Sequence, residues 1–287
     1  MHKRKPLFVS VPAAMVILAL GIEPAATAQK GEDNGLSPHR AVYDFTLSDA
    51  RSSNSVSSLS GRMVYELTGS KCDGYTQTMR FVTLSSSRSG ESTLSDQRTV
   101  TWEDPSAQSM RFQSSQYRDR KLVEQTAGSA KRGSNGDDIS VEITLPKDAK
   151  AAIGKTAMFP VQHSMKLLDA ARRGVKSFKA DYYDGAEGGE KSYVVVAFIG
   201  VRKPPAHNKT LSKKGQAKLL DGTAAWPVSL SYYEHGSQHT DAVPVYEMSF
   251  LFYENGVSRR LMIDNGDYII KGELSGLEIL DPMPCRQ

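Results

Sequence analysis

Charge of one sign, cysteine and long apolar runs are all scarce in this chain of 287 residues, and each shortage removes a class of function. Basic and acidic side chains number 36 and 32, a formal +4. Lys3, Arg4 and Lys5 stand against Glu23 alone before residue 29, so the balance beyond is 33 to 31, or +2. A surface so near neutrality carries no electrostatic footprint for nucleic acid. Only Cys72 and Cys285 are present, too far apart for a CxxC redox motif or a zinc knuckle. Beyond the N-terminus no apolar run approaches the ~20 residues that a spanning helix needs. There is no G-x-S-x-G, no Walker A, no G-x-G-x-x-G and no H-E-x-x-H. No catalytic residue, metal site or cofactor is therefore assigned.

What is present begins with a targeting pattern. The basic HKRK precedes an apolar run from Leu7 to Ile22, then the small-residue site Ala26-Thr27-Ala28. The run is 16 residues long and is broken by Pro12, which suits a cleaved signal and not an anchor. The expectation is export, with residues 1–28 removed and 29–287 forming a single domain. In an oxidising compartment Cys72 and Cys285 can form one intramolecular bridge. A pair of free buried thiols and an intermolecular bridge are the alternatives. Hydrophobic residues at 39% and charged residues at 24% fit a globular protein with a real core.

The mature stretch reads as β structure. Tyr43, Phe45 and Leu47 alternate with polar neighbours, as do Met63, Tyr65 and Leu67, and Ile139 to Leu145 alternates most cleanly. Cys72 falls at the tip of an early hairpin, before Asp73-Gly74. From Ser85 to Gly136 the chain is rich in Ser, Arg and Gln, and the spacing of Trp102, Met110, Phe112, Tyr117 and Val123 predicts strands with one wet face. One helix is predicted from Pro160 to Arg173, with proline in its first turn and Gly174 at its stop. Tyr193 to Val201 is almost continuously apolar. The end, Ala242 to Cys285, reads as a three-stranded meander turning at Asn255-Gly256 and Asn265-Gly266. Type I′ turns are expected there, because Asn and Gly best tolerate positive φ at both central positions. A single large, strongly curved antiparallel sheet accounts for this pattern, with the meander as its closing edge.

Candidate chemistry is thin. His163, on the first turn of the helix, suits a histidine packed where helix meets sheet, with a general base as the alternative. His235 and His239 are four apart beside Glu234 and Asp241, but Gly236 and Ser237 between them indicate a solvated loop. Glu103-Asp104 reads as a solvated turn. Asn208-Lys209-Thr210 matches a glycosylation sequon in an exposed basic loop. The aromatic residues Tyr232, Tyr233, Tyr246, Phe250, Phe252 and Tyr253 gather in the last third. They read first as sheet core. Tyr232, Tyr246, Phe250 and Phe252, with His163, are also the candidates to line a groove for a lipid, acyl chain or peptide.

The order of several motifs resembles the EipB family of periplasmic cell-envelope-integrity proteins of Gram-negative bacteria. These are His39-Arg40-Ala41-x-Tyr43, Gly61-x-Met63-x-Tyr65-Glu66, Cys72-Asp73-Gly74-Tyr75, Trp102-Glu103, Phe159-Pro160-x-x-His163, Trp226-Pro227-Val228, Tyr246-Glu247-Met248, Glu254-Asn255-Gly256-Val257 and Cys285. Asp264-Asn265-Gly266-Asp267-Tyr268 departs from the family's run, and the loop around 202–218 differs locally. The resemblance implies a mainly β fold, a β-spiral or open barrel of about fourteen strands with one principal α-helix, in outline like periplasmic lipoprotein carriers. It also implies a Cys72–Cys285 disulfide, a periplasmic location and a non-enzymatic role in envelope integrity and stress resistance. The expected partner is a lipid, a lipoprotein or a periplasmic protein. The expected state is a monomer, with a homodimer as the alternative. A hydrolase centred on His163 and a purely structural interaction module are the competing functions.

Overall fold

A computed structural model describes residues 35–51, 56–134, 136–205, 219–236, 242–283 and 285. The expected signal segment, the sequon at Asn208 and His239 lie outside them. The first eight strands are β1 (His39–Ala50), β2 (Val56–Ser70), β3 (Gly74–Ser87), β4 (Ser92–Glu103), β5 (Ser109–Arg118), β6 (Lys121–Lys131), β7 (Ile139–Leu145) and β8 (Ala149–Ile153). The helix α1 (Pro160–Arg172) follows, then β9 (Ser177–Tyr182), β10 (Tyr193–Ile199), β11 (Ala225–Glu234), β12 (Tyr246–Tyr253), β13 (Ser258–Asp264) and β14 (Tyr268–Ile279).

All fourteen strands form one sheet in the order β8-β7-β6-β5-β4-β3-β2-β1-β14-β13-β12-β11-β10-β9. Every neighbouring pair is antiparallel and the sheet is not closed, which is the open, curved architecture expected. The chain leaving β8 touches the opposite edge at a single parallel bridge, where Met158 pairs with Tyr182 at the end of β9. The terminal meander is not an edge. β14 lies in the middle of the sheet, paired to β13 on one side and along its length to β1 on the other. The first and last strands therefore join the two halves, and the true edges are β8 and β9. Sequence order alone cannot reveal this, because nothing local marks which strand will accept β14.

The meander's turns also depart from type I′. Gly256 and Gly266 take positive φ, at 90° and 89°, but neither asparagine does. Asn255 and Asn265 instead use their side-chain oxygens, which accept from the N–H of Val257 at 3.2 Å and of Tyr268 at 3.0 Å. An Asx bond of this kind stabilises a turn without asking asparagine for the left-handed region.

Three apolar clusters hold the sheet together. Leu167, Leu168 and Ala171 of α1 pack with Val195, Trp226 and Leu230 of β10 and β11, and with Leu67 and Tyr75 from β2 and β3. The helix thus lies against strands from both halves of the sheet. Tyr43, Phe45, Leu261 and Ile270 centre a second cluster on β1, β13 and β14. Met110, Ile139, Val141, Phe159 and Tyr183 make the third, on β5 to β7, the chain entering α1 and the turn after β9. Cys72, in the turn between β2 and β3, stands with its Cα 5.3 Å from that of Cys285, the separation of a disulfide pair, across 213 residues of chain.

Candidate functional site

The concave face of the sheet leaves a cavity of about 1030 Å³. Its composition follows from strand register. One cross-strand row runs Met63, Phe81, Gln97, Gln116 over β2 to β5, and the next runs Tyr65, Met79, Thr99, Ser114. All eight line the cavity. Neighbouring strands sit ~4.8 Å apart, so a polarity boundary falls between β3 and β4 in both rows. Met248 and Ile263, paired between β12 and β13, extend the apolar wall.

The outer face of β4 is mixed: Leu94, Val100 and Trp102 share it with Arg98 and with Asp96, which is held by Arg80 at 2.9 Å and Arg98 at 2.7 Å. Two hydrogen-bonded arginines keep the Asp96 carboxyl down at about 2. Along Gln97, Thr99, Ser114 and Gln116 both faces are wet, while Thr101, Met110 and Phe112 further along the inner face are buried, as a strand with one wet face would have them. The inner polarity had a visible signal: Gln97, Thr99, Ser114 and Gln116 occupy positions where a strand covering a dry core would carry apolar residues.

The chain from Tyr182 to Tyr193 borders the same cavity. Asp184, Glu187, Lys191 and both tyrosines face it, and Tyr246 of β12 joins them. Tyr232 lies behind as a hub, stacked on Tyr246 at 4.2 Å and edge-on to Tyr182 at 5.8 Å and Tyr193 at 6.4 Å. Burial raises the pKa of all four hydroxyls, and the nearby Asp184 charge raises them further. Tyr65, on the apolar side, is pushed up to about 12 mainly by burial, although the bond with Gln77 opposes this. Lys191 is shared between Glu187 at 2.9 Å and Glu234 at 3.3 Å.

Of the residues expected at a groove, Tyr246 lines the cavity. Tyr232 and Phe252 are buried in the core beside α1, and Phe250 is half-buried against it. His163 is buried on the inward side of α1, with Tyr182 edge-on at 5.4 Å and Phe178 at 5.6 Å. Its Nε2 meets no hydrogen-bond partner among the described residues. Burial lowers its pKa to about 4, so the ring is neutral near pH ~7. No group of three or more metal-ligating side chains occurs among the described residues. His235 approaches Asp181 at 3.7 Å on the surface.

Glu103 departs from the solvated turn expected of it. It is buried, not solvated, and it supplies the N-terminal cap of α1. Phe159 precedes the helix and offers no side-chain acceptor, so the first-turn amides need one from elsewhere. The N–H groups of Val161 and Gln162 donate to the Glu103 carboxylate at 2.6 Å and 3.1 Å. Arg132 fixes the approach to the helix. Its guanidinium donates to the carbonyls of Ala107, Lys155 and Ala157 and to Gln162 Oε1, and it stacks over Phe159 at 4.9 Å. Pro160, in the turn so capped, borders the cavity.

Comparison with known proteins agrees with this architecture. The family described as EipB-like matches residues 30–281. The cell envelope integrity protein EipB of Brucella abortus (strain 2308) is 33% identical over 270 residues, covering 93% of this chain and 92% of that protein. A crystal structure of a beta-barrel-like protein from Brucella abortus, a domain of unknown function, superposes with a TM-score of 0.79 at 32% identity. That alignment covers 86% of this chain and 99% of the other.

Proposed function

The chain belongs to the EipB-like family, and on that premise we propose that it is a non-enzymatic periplasmic protein sustaining envelope integrity and stress resistance. It acts by holding the apolar part of an envelope component (a lipid, the acylated end of a lipoprotein, or a segment of a protein partner) inside its curled sheet. The observation that carries this reading is the cavity of about 1030 Å³ with an apolar wall on β2, β3, β12 and β13. That volume is at the upper end for a small-molecule site, and a wall of Met63, Met79, Phe81 and Met248 suits chains of varied shape, since methionine adapts to irregular surfaces. His163 lends the hydrolase alternative no support, because its buried Nε2 is flanked by rings and touches no partner among the described residues.

Protein purified from its native periplasm and extracted with organic solvent tests the proposal. Mass spectrometry should recover a compound with an apolar chain in near-stoichiometric amount. Met79→Glu, which puts a charge on the apolar wall, should lose that compound and the resistance of cells to detergent. An extract without such a compound, together with full resistance in the variant, would overturn the reading.

A further inference from the structure

One carboxylate in the cavity has no cation beside it among the described residues. Asp184, in the turn after β9, accepts a hydrogen bond from the backbone N–H of Ala186 at 2.9 Å. Its charge interacts with Glu187 and with no cationic side chain among the described residues, and burial pushes its pKa up, with Glu187 adding to the rise. Lys191 does not compensate it, being held by the carboxylates of Glu187 and Glu234. A carboxylate in a cavity, held by one amide and no cation among the described residues, carries a desolvation cost that a cation relieves.

The surroundings of Asp184 specify which cation. Tyr182, Tyr193 and Tyr246 border the same end of the cavity, held in place by their shared neighbour Tyr232. Aromatic faces attract ammonium groups through their quadrupole, and most strongly where water is displaced. A metal ion would favour a cluster of carboxylate, histidine or cysteine ligands, and no group of three or more such side chains occurs among the described residues. Away from this end the cavity continues along the Met63, Met79 and Met248 wall, which offers nothing to a charge.

We propose that the cavity receives an amphiphile with an ammonium head, seated at Asp184 among Tyr182, Tyr193 and Tyr246, its apolar chain lying along Met63, Met79 and Met248. This rests on the cavity being a binding site for an apolar chain, as proposed above, and adds the chemistry of the head.

Titration calorimetry with three probes of equal chain length, each below its micelle concentration, separates the two ideas. Dodecyltrimethylammonium should bind about tenfold more tightly than 1-monolauroylglycerol, a gap of about 1.4 kcal/mol, and laurate should bind most weakly. Asp184→Asn keeps an acceptor for the Ala186 amide and should erase the preference for the ammonium probe. If that variant does not fold, Tyr246→Leu should reduce the same preference. Equal affinity for the three probes, or a preference that survives both substitutions, overturns the ammonium assignment while the cavity remains a chain-binding site. No binding of any probe overturns both.

Discussion

The Glu103 carboxylate caps α1 from the end of β4, taking the Val161 N–H at 2.6 Å across 58 residues of chain. Burial pushes its pKa from the ordinary 4.5 to about 7, against the bonds from Val161 and Gln162; Asp104 adds to the rise and Arg132 opposes it. Between those two values the folded protein holds a proton that the unfolded chain has released. Stability therefore falls as pH rises through that window, by on the order of 3 kcal/mol. Glu103→Gln keeps one acceptor for the cap and removes the titration. Denaturant unfolding at pH about 5 and about 8 should show a distinctly smaller loss in the variant than in the native protein. Equal losses would mean that Glu103 does not carry the dependence.

His163 acts on the acid side with the opposite sign. Burial lowers its pKa from 6.5 to about 4, so below pH 6.5 the unfolded chain gains a proton that the folded protein refuses. Stability is retained above the unfolded value and lost as pH falls towards about 4, again on the order of 3 kcal/mol. Glu103 titrates across part of this range, but it does so equally in the native protein and in His163→Phe. The difference between the two isolates the histidine. The phenylalanine variant should lose less stability between pH about 6.5 and about 4, and should be more stable at neutral pH by about 1 kcal/mol, since a buried polar atom without a partner is gone. Parallel acid limbs would sink this assignment.

The close approach of Cys72 and Cys285 gives a third expectation. A bridge there closes a loop of 213 residues, for which the chain-entropy model gives about 5 kcal/mol, an upper figure. It would tie the turn between β2 and β3 to the chain beyond β14. Native protein should migrate faster on non-reducing than on reducing gels, and Cys72→Ser should lower the melting temperature. Identical migration and an unchanged melt would show the thiols free.

Local pattern carried much of this fold and little of its assembly. Ile139 to Leu145 is a strand at the bounds its alternation predicts, and α1 stops one residue short of Arg173, with Gly174 at a φ of 74° beyond it. Such features depend on residues a few positions apart. The cap from Glu103 to Val161 and the pairing of β14 with β1 join positions 58 and more than 200 residues apart, so no periodicity announces them. The cavity was half legible. Gln97, Thr99, Ser114 and Gln116 stand where one wet face was expected and in fact line the interior, whereas Tyr182, Asp184 and Tyr193 stand in a stretch that reads locally as strand and turn. Among the aromatic residues of the last third, composition could not separate Tyr246, which lines the cavity, from Tyr232 behind it; the two are cross-strand partners on one face, and only their depth in the packed structure tells them apart.

Gly185 links the fold to the proposed head site. It follows Asp184 with a φ of 74°, in the left-handed region, and a Cβ there would fall on the ring of Phe112 on β5. Phe112 is itself wedged, because it faces Gly128 on β6, where a Cβ would also meet its ring. The ring therefore occupies space that two glycines leave open, and the turn carrying Asp184 is seated on it. Gly185→Ala must either strain the backbone, at about 1–2 kcal/mol, or move the turn away from Phe112. Both outcomes lower the melting temperature, and the second also displaces Asp184. The expected result is a lower melt accompanied by weaker binding of dodecyltrimethylammonium, while Gly90→Ala, at a φ of 88° with open space around it, should lower the melt alone. Unchanged ammonium affinity in Gly185→Ala would show that the seat on Phe112 does not position the carboxylate.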